Sequence, residues 1–248
     1  MMRIIAVSLS KGGVGKTTTA VNLAAALSLI DRRVLLVDTD TQGQAGQALG
    51  VDGDVGLAEL VLDEATADEA ITQARPGLDL LAGGPRLAAV KREIARANIR
   101  PEEMLANALA PLGDRYHYII LDTAPGWDPL QVNVLFYAGE VLAPVSLETM
   151  AVKGLVAFVE RLGEIQRYRP ELQLRYVLPT GLDRRVKQSD EIHAQLQGHF
   201  GDLLCRPIRY NVRLSEAPAH GQHIFEYDEK SAGAEDYAEL TRRVLEDE

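Results

Sequence analysis

Cysteine is nearly absent from this sequence. Cys205 is the only one in 248 residues, so no disulfide can form within the chain, and no zinc or iron–sulfur cluster can be assembled from several thiolates of one copy. No apolar run approaches the roughly 20 residues that span a bilayer. The opening residues, Met1-Met2-Arg3-Ile4-Ile5-Ala6-Val7, lead straight into a strand-like stretch, without the longer apolar segment and small-residue cleavage site of a secretory signal. Basic residues are in deficit, 26 Lys and Arg against 36 Asp and Glu. The net charge of −10 argues against a protein that coats nucleic acid with its whole surface, because phosphate binding rests on cations that displace counterions. Internal repeats, low-complexity tracts and linkers rich in Pro, Gly or Ser are also missing, which leaves one domain, residues 1–248, as the simplest organisation. The cytoplasm is the expected compartment.

What is present is a regular alternation. Short apolar or β-branched runs at Arg3–Ser8, Val34–Asp38, Leu78–Ala82, Tyr118–Asp122, Val141–Val145, Leu174–Pro179 and Leu203–Pro207 read as strands, most of them buried on both faces. Helical patterns lie between them, at Lys16–Ser28, Gly56–Leu62, Arg86–Ala97, Pro101–Ala110, Asp128–Tyr137, Met150–Tyr168, Gln188–Phe200 and Ala232–Leu245. The alternation predicts an α/β fold, a mostly parallel sheet flanked by helices on both faces, with ligands bound beyond the carboxyl ends of the strands. Charge is uneven along it. Between Arg169 and Arg213 eight basic residues face five acidic ones, a local excess of cations on an otherwise acidic chain.

The first strand gives way to Ser10-Lys11-Gly12-Gly13-Val14-Gly15-Lys16-Thr17-Thr18 and at once to an apolar helix. Glycines let backbone N–H groups curl around an oxyanion with no Cβ in the way, and the helix N-terminus adds partial positive charge. In such a phosphate loop Lys16 reaches the β- and γ-phosphates and the Thr17 hydroxyl ligates Mg²⁺. The strict pattern would place a glycine six residues before Lys16, where Ser10 stands. Two strands end in carboxylates, at Asp38 with Asp40 just beyond, and at Asp122; Asp122 has the form of a Walker B residue that holds Mg²⁺.

Lys11-Gly12-Gly13-Val14-Gly15-Lys16-Thr17 resembles the deviant Walker A motif of the ParA/MinD superfamily, in which a second lysine, here Lys11, precedes the paired glycines. Asp38-Thr39-Asp40-Thr41-Gln42-Gly43 resembles that superfamily's Asp-x-Asp-Pro-Gln-Gly segment, with Thr41 in place of proline, and Thr123-Ala124-Pro125-Gly126 resembles its Asp-x-Pro-Pro turn. Asn211-Val212-Arg213-Leu214-Ser215-Glu216-Ala217-Pro218-Ala219-His220-Gly221 is similar to a block of chromosomal ParA/Soj proteins, as is Gly233-Ala234-Glu235-Asp236-Tyr237. Together these blocks run from Arg3 to about Leu245, with the poorest match between Val51 and Leu112. The resemblance implies an ATPase using ATP and Mg²⁺. Lys11 would cross a nucleotide-sandwich homodimer to the partner's phosphates, Asp40 would position the attacking water beside the metal, and Asn211, with Arg209 replacing a family proline, would meet the adenine. It also implies non-specific binding to double-stranded DNA through Arg185 and Arg213, helped by Arg184, Lys187 and Arg206, and an activator of ParB type that triggers hydrolysis and release.

The implied role is the positioning of a chromosome, a plasmid or another large cargo on the nucleoid. With the first strand opening at Arg3, the expectation is a core lacking the helix-turn-helix extension of ParA proteins that double as repressors. Alternatives remain. A MinD-like membrane ATPase would end in a basic amphipathic helix, whereas Leu240–Glu248 carries two arginines and an acidic terminus, so no membrane partner is expected. Iron–sulfur reductases with the same loop need two cysteines per subunit. A nucleotide-binding switch with little turnover is the remaining alternative.

Overall fold

The computed structural model describes residues 2–51, 53–183 and 185–248. Its strands are β1 (Arg3–Val7), β2 (Val34–Asp38), β3 (Ile71–Arg75), β4 (Leu78–Leu81), β5 (Tyr118–Asp122), β6 (Glu140–Ser146), β7 (Gln173–Leu182) and β8 (Ile208–Arg209). They form one sheet in the order β3-β4-β2-β5-β1-β6-β7-β8, parallel throughout except for β3 against β4. The helices are α1 (Lys16–Ser28), α2 (Gln44–Leu49), α3 (Leu57–Val61), α4 (Ala67–Ala70), α5 (Leu87–Arg96), α6 (Met104–Leu109), α7 (Pro129–Tyr137), α8 (Thr149–Gln166), α9 (Lys187–Phe200), α10 (Val212–Glu216), α11 (Ile224–Tyr227) and α12 (Ala232–Glu246).

The alternation of side chains along each strand divides the core in two. From β2, Leu35 and Val37 join a cluster with α5, α7 and α8, while Val34 and Leu36 join another with α1 and α12. Both faces of the central strands are therefore covered, which is why β2 and β5 read as unbroken apolar runs. Helix α1 is buried nearly all round, and Ala20, Ala24, Ala25 and Ala26 let the sheet and α12 approach its backbone closely. That burial fixes the axis on which the phosphate loop is mounted.

Two strand assignments differ from the sequence reading. The last strand is Ile208–Arg209, not Leu203–Pro207: residues 201–203 form a 3₁₀ turn and Leu204 makes a single bridge to Val177. Pro207 has no N–H to give to a ladder, so pairing resumes only after it. β3 was not anticipated because Ile-Thr-Gln-Ala-Arg is a weak, half-buried strand at the sheet edge. Its signal is the dipeptide Pro76-Gly77, which forms the two-residue turn between Arg75 and Leu78 with Gly77 at φ 76°. Helices α2, α4, α10 and α11 were likewise absent from the sequence reading, and none exceeds six residues.

Leu36 lies fully buried in the central strand β2. Leu36→Ala should lower the unfolding free energy by about 3 kcal/mol, measured by urea denaturation, because a close-packed core does not collapse onto the lost side chain.

Candidate nucleotide and magnesium site

The loop between β1 and α1 lies at the carboxyl edge of the sheet, against its middle. Gly13 (φ 72°) and Gly15 (φ 86°) adopt left-handed conformations that residues with a Cβ avoid, and Gly15 caps α1 with no side chain in the way. Lys16 turns back over the loop and its Nζ donates to the Lys11 carbonyl at 2.8 Å. Thr180 at the end of β7 donates to the Val14 carbonyl at 3.0 Å, and the Gly126 N–H donates to the Ser10 carbonyl at 2.9 Å. The loop is braced from two neighbouring segments before any ligand arrives. Burial pulls the Lys16 ammonium below the ordinary lysine range, and the charges of Asp122 and Asp40 oppose that shift.

Asp38 and Asp122 are register partners on adjacent parallel strands. Both are fully buried. Asp38 accepts from the backbone N–H of Asp40 and of Ala45, each at 2.9 Å, so it ties together the two ends of the segment that carries Asp40. Its carboxyl is pushed up to about 6 by burial, against those two hydrogen bonds and with the nearby charge of Asp40 adding to the rise. Asp122 is raised well above the carboxylate range, first by burial and then by Asp38; Thr17 and Lys16 ease its charge only in part. No donor reaches either of its oxygens in hydrogen-bond geometry. A buried carboxylate without a partner is costly unless something cationic meets it.

Asp40 is 7% exposed and accepts from the Gln42 N–H at 3.0 Å. Gly83 lies over this segment. A Cβ built there would stand 2.7 Å from Asp38 Oδ1 and 2.6 Å from the Asp40 carbonyl, so only glycine fits. The sequence reading gave no part to Asp38 or Gly83, although a strand-ending aspartate two residues before Asp40 was a visible signal for the former.

Thr17, Asp122 and Asp40 thus gather around Lys16. No group of three or more His, Cys, Asp or Glu suited to a metal occurs among the described residues, so this is not an all-protein cage. It fits Mg²⁺, which keeps waters and takes phosphate oxygens with one or two protein ligands. The orphaned oxygens of Asp122 would accept from the metal's waters, and the Thr17 hydroxyl would bind it directly. Beyond the loop, a cavity of about 620 Å³ is lined by Gly13, Gly15, Thr18, Thr180, Tyr210 and Asn211, among others. Asn211 Oδ1 caps α10 by accepting from the Arg213 N–H at 2.8 Å. Arg209 also lines this cavity, but its guanidinium is committed to Asp236 and Glu235 at the start of α12. A cleft of about 680 Å³ lies at the opposite end of the sheet, beside Arg3 and Glu140, and offers no phosphate loop. Cys205 is buried and its thiol is pushed up to about 12, which removes it as a nucleophile.

The remaining residues named from the sequence are dispersed and paired. Lys11 Nζ meets Glu148, just before α8, at 3.0 Å. Arg185 holds Asp183, Lys187 stands 3.8 Å from Glu191, and Arg213 holds Glu216 and Asp228; all three cations follow the carboxyl ends of β7 or β8. Arg206 precedes β8 and faces Glu235 at 3.6 Å. Arg184 lies outside the described residues. Exposed pairs of this kind contribute little to stability.

A glycine loop at the head of a buried helix, a lysine folded across it and an unpartnered strand-end carboxylate beside it define a P-loop nucleotide-binding fold. The sequence pattern of a family described as AAA domain matches residues 2–174. The chain is 37% identical to the sporulation initiation inhibitor protein Soj of Bacillus subtilis over 98% of both proteins. It is 34% identical to the chromosome partitioning protein ParA of Caulobacter vibrioides, covering 98% of this chain and 94% of that one. The crystal structure of cobyrinic acid a,c-diamide synthase from Mycobacterium smegmatis with bound ADP and magnesium superposes with a TM-score of 0.85 at 31% identity, covering 99% of this chain and 94% of the other. The protein belongs to the ParA/Soj family of P-loop ATPases.

Neutralising the orphaned carboxylate should trade stability against metal use. Asp122→Asn should raise the thermal midpoint of the nucleotide-free protein at pH 7.5, at about 2–4 °C per kcal/mol, and should abolish the further stabilisation that Mg²⁺ adds to ADP.

Proposed function

We propose that the chain hydrolyses ATP with Mg²⁺ as a positioning switch. The observation that carries the reading is the pairing of the Lys16 loop with the unpartnered Asp122 on the neighbouring strand. When bound, Mg²⁺, held by Thr17 and through water by Asp122, would supply positive charge that offsets the negative charge of the reacting phosphates. Lys16 would exchange the Lys11 carbonyl for phosphate oxygens, with little rearrangement. Asp40 would orient the attacking water once its bond from the Gln42 N–H loosens, so basal turnover should be slow and an activator of ParB type should be needed. Positioning and charge supply most of the rate in phosphoryl transfer. Lys16→Ala should abolish tight ATP binding in equilibrium dialysis. Asp40→Ala should retain nucleotide while activator-stimulated phosphate release falls about a hundredfold; unchanged release would remove Asp40 from the mechanism.

The family's dimer requires Lys11 to reach the partner's phosphates, and in one protomer that lysine is held by Glu148. ATP would favour the exchange because two stacked triphosphates present far more negative charge than one solvent-exposed carboxylate. The dimer would then bind double-stranded DNA through Arg185 and Arg213, with help from Lys187, Arg206 and Arg184, which places the protein on the nucleoid in the cytoplasm. Pairing two copies doubles the phosphate contacts, so binding switches on with dimerisation. A membrane role is disfavoured by α12, which spends its apolar face, Tyr237, Leu240 and Val244, in the core. No helix of the described residues is long and apolar enough to cross a membrane. In salt titrations of DNA binding with ATP, Arg213→Ala should lower the slope of log affinity against log salt by roughly 2 per dimer, one contact from each copy. Lys11→Ala should remain monomeric by light scattering, and a dimer that forms equally with ATP, with ADP and in this variant would refute the sandwich.

A further inference from the structure

The base end of the nucleotide site holds a residue that no motif assigned. We propose that Tyr210 is the stacking surface for the base, an inference that rests on the nucleotide-site reading above. Gly13, Gly15 and Thr18 of the phosphate loop line the 620 Å³ cavity together with Tyr210 and Asn211, which follow the end of β8. A base there needs an aromatic or flat apolar face to lie on. Of the described residues lining the cavity, two are aromatic, Tyr210 and Tyr237. Tyr237 is 1% exposed, with its hydroxyl 3.2 Å from that of Thr19, so it is part of the wall behind the loop and has no open face. Tyr210 is 63% exposed.

Its backbone is held while its ring is not. The Tyr210 N–H donates to the Leu182 carbonyl at 2.9 Å, continuing the pairing of β8 with β7, and the next residue caps α10. The ring is thus presented from a fixed main chain at little entropic cost. Leu214 lines the same cavity one helical turn on and offers the base its second apolar side. The neighbouring Asn211 has its oxygen committed to the α10 cap, which leaves the amide nitrogen to donate to a ring acceptor. Adenine and guanine both carry such acceptors, and both have a π-face. Tyr210 therefore contributes affinity for a purine without choosing between the two. The competing assignment is to DNA, since Arg185 is close enough to interact with the phenol. The cavity favours the nucleotide, because Tyr210 lines the same cavity as Gly13, Gly15 and Thr18 of the phosphate loop.

The test is a fluorescence competition assay with ribose-labelled ADP, displaced by ADP, GDP or inorganic tripolyphosphate, all with Mg²⁺. Tyr210→Ala should weaken ADP and GDP equally, about tenfold as for loss of one base–aromatic stack, and leave tripolyphosphate unchanged. Tyr210→Phe should restore ADP to within about twofold, because stacking needs the ring and not the hydroxyl. Unchanged ADP affinity in Tyr210→Ala overturns the proposal, and a parallel loss of DNA binding would assign the ring to the DNA face. Equal loss of tripolyphosphate also overturns it, since the residue would then be supporting the loop. Should Lys16→Ala keep its affinity for tripolyphosphate, the phosphate-loop reading has failed, and that outcome is distinct from failure at Tyr210.

Discussion

The buried ammonium of Lys16 is the interaction around which the carboxyl edge of the sheet is organised. It bonds to the Lys11 carbonyl across the loop and faces the charges of Asp122 and Asp40. Without a ligand the balance is poor. A cation is desolvated, a carboxylate beside it has no hydrogen bond, and a second carboxylate, Asp38, sits next to the first. Such an arrangement costs stability and persists because the surrounding core over-determines it. The helix that carries Lys16 is enclosed on every side, and the strands that carry the carboxylates are covered on both faces.

That enclosure explains how the site would respond to a bound triphosphate. Phosphate oxygens would replace a carbonyl that Lys16 already holds, and metal-bound waters would meet the Asp122 oxygens that have no partner. The groups need not travel. The segment from Thr39 to Gly43 is pinned at both ends by Asp38 and covered by Gly83. The Gly84 N–H donates to the Asp40 carbonyl and the Leu87 N–H donates to the Gly84 carbonyl, so hydrogen bonds join Asp40 to the start of α5.

Much of this was legible in the sequence where local pattern and buried structure coincide. β2, β5 and α1 match their sequence boundaries, because apolar runs buried on both sides have sharp punctuation at Asp38, Asp122 and Lys16. The phosphate loop was readable for the same reason, as glycines, lysine and threonine are consecutive. What could not be read depends on pairs distant in sequence. Glu148 lies 137 residues from the Lys11 it holds. The acids that neutralise Arg209 belong to a helix that packs back beside β8. Edge strands were the other failure, since β3 is half exposed and lacks the uniform apolarity that marked the central strands.

Those weak edges have a consequence of their own. The sheet is bounded on one side by a five-residue antiparallel strand containing threonine, glutamine and arginine, and on the other by a strand of two residues. Neither presents the long, flat, apolar row of free N–H and C=O groups that recruits a stray strand. Were many copies to gather on DNA as proposed, their local concentration would rise and with it the exposure to edge-to-edge aggregation. With both borders blunted, crowding leaves side-chain surfaces as the places where neighbouring copies can meet.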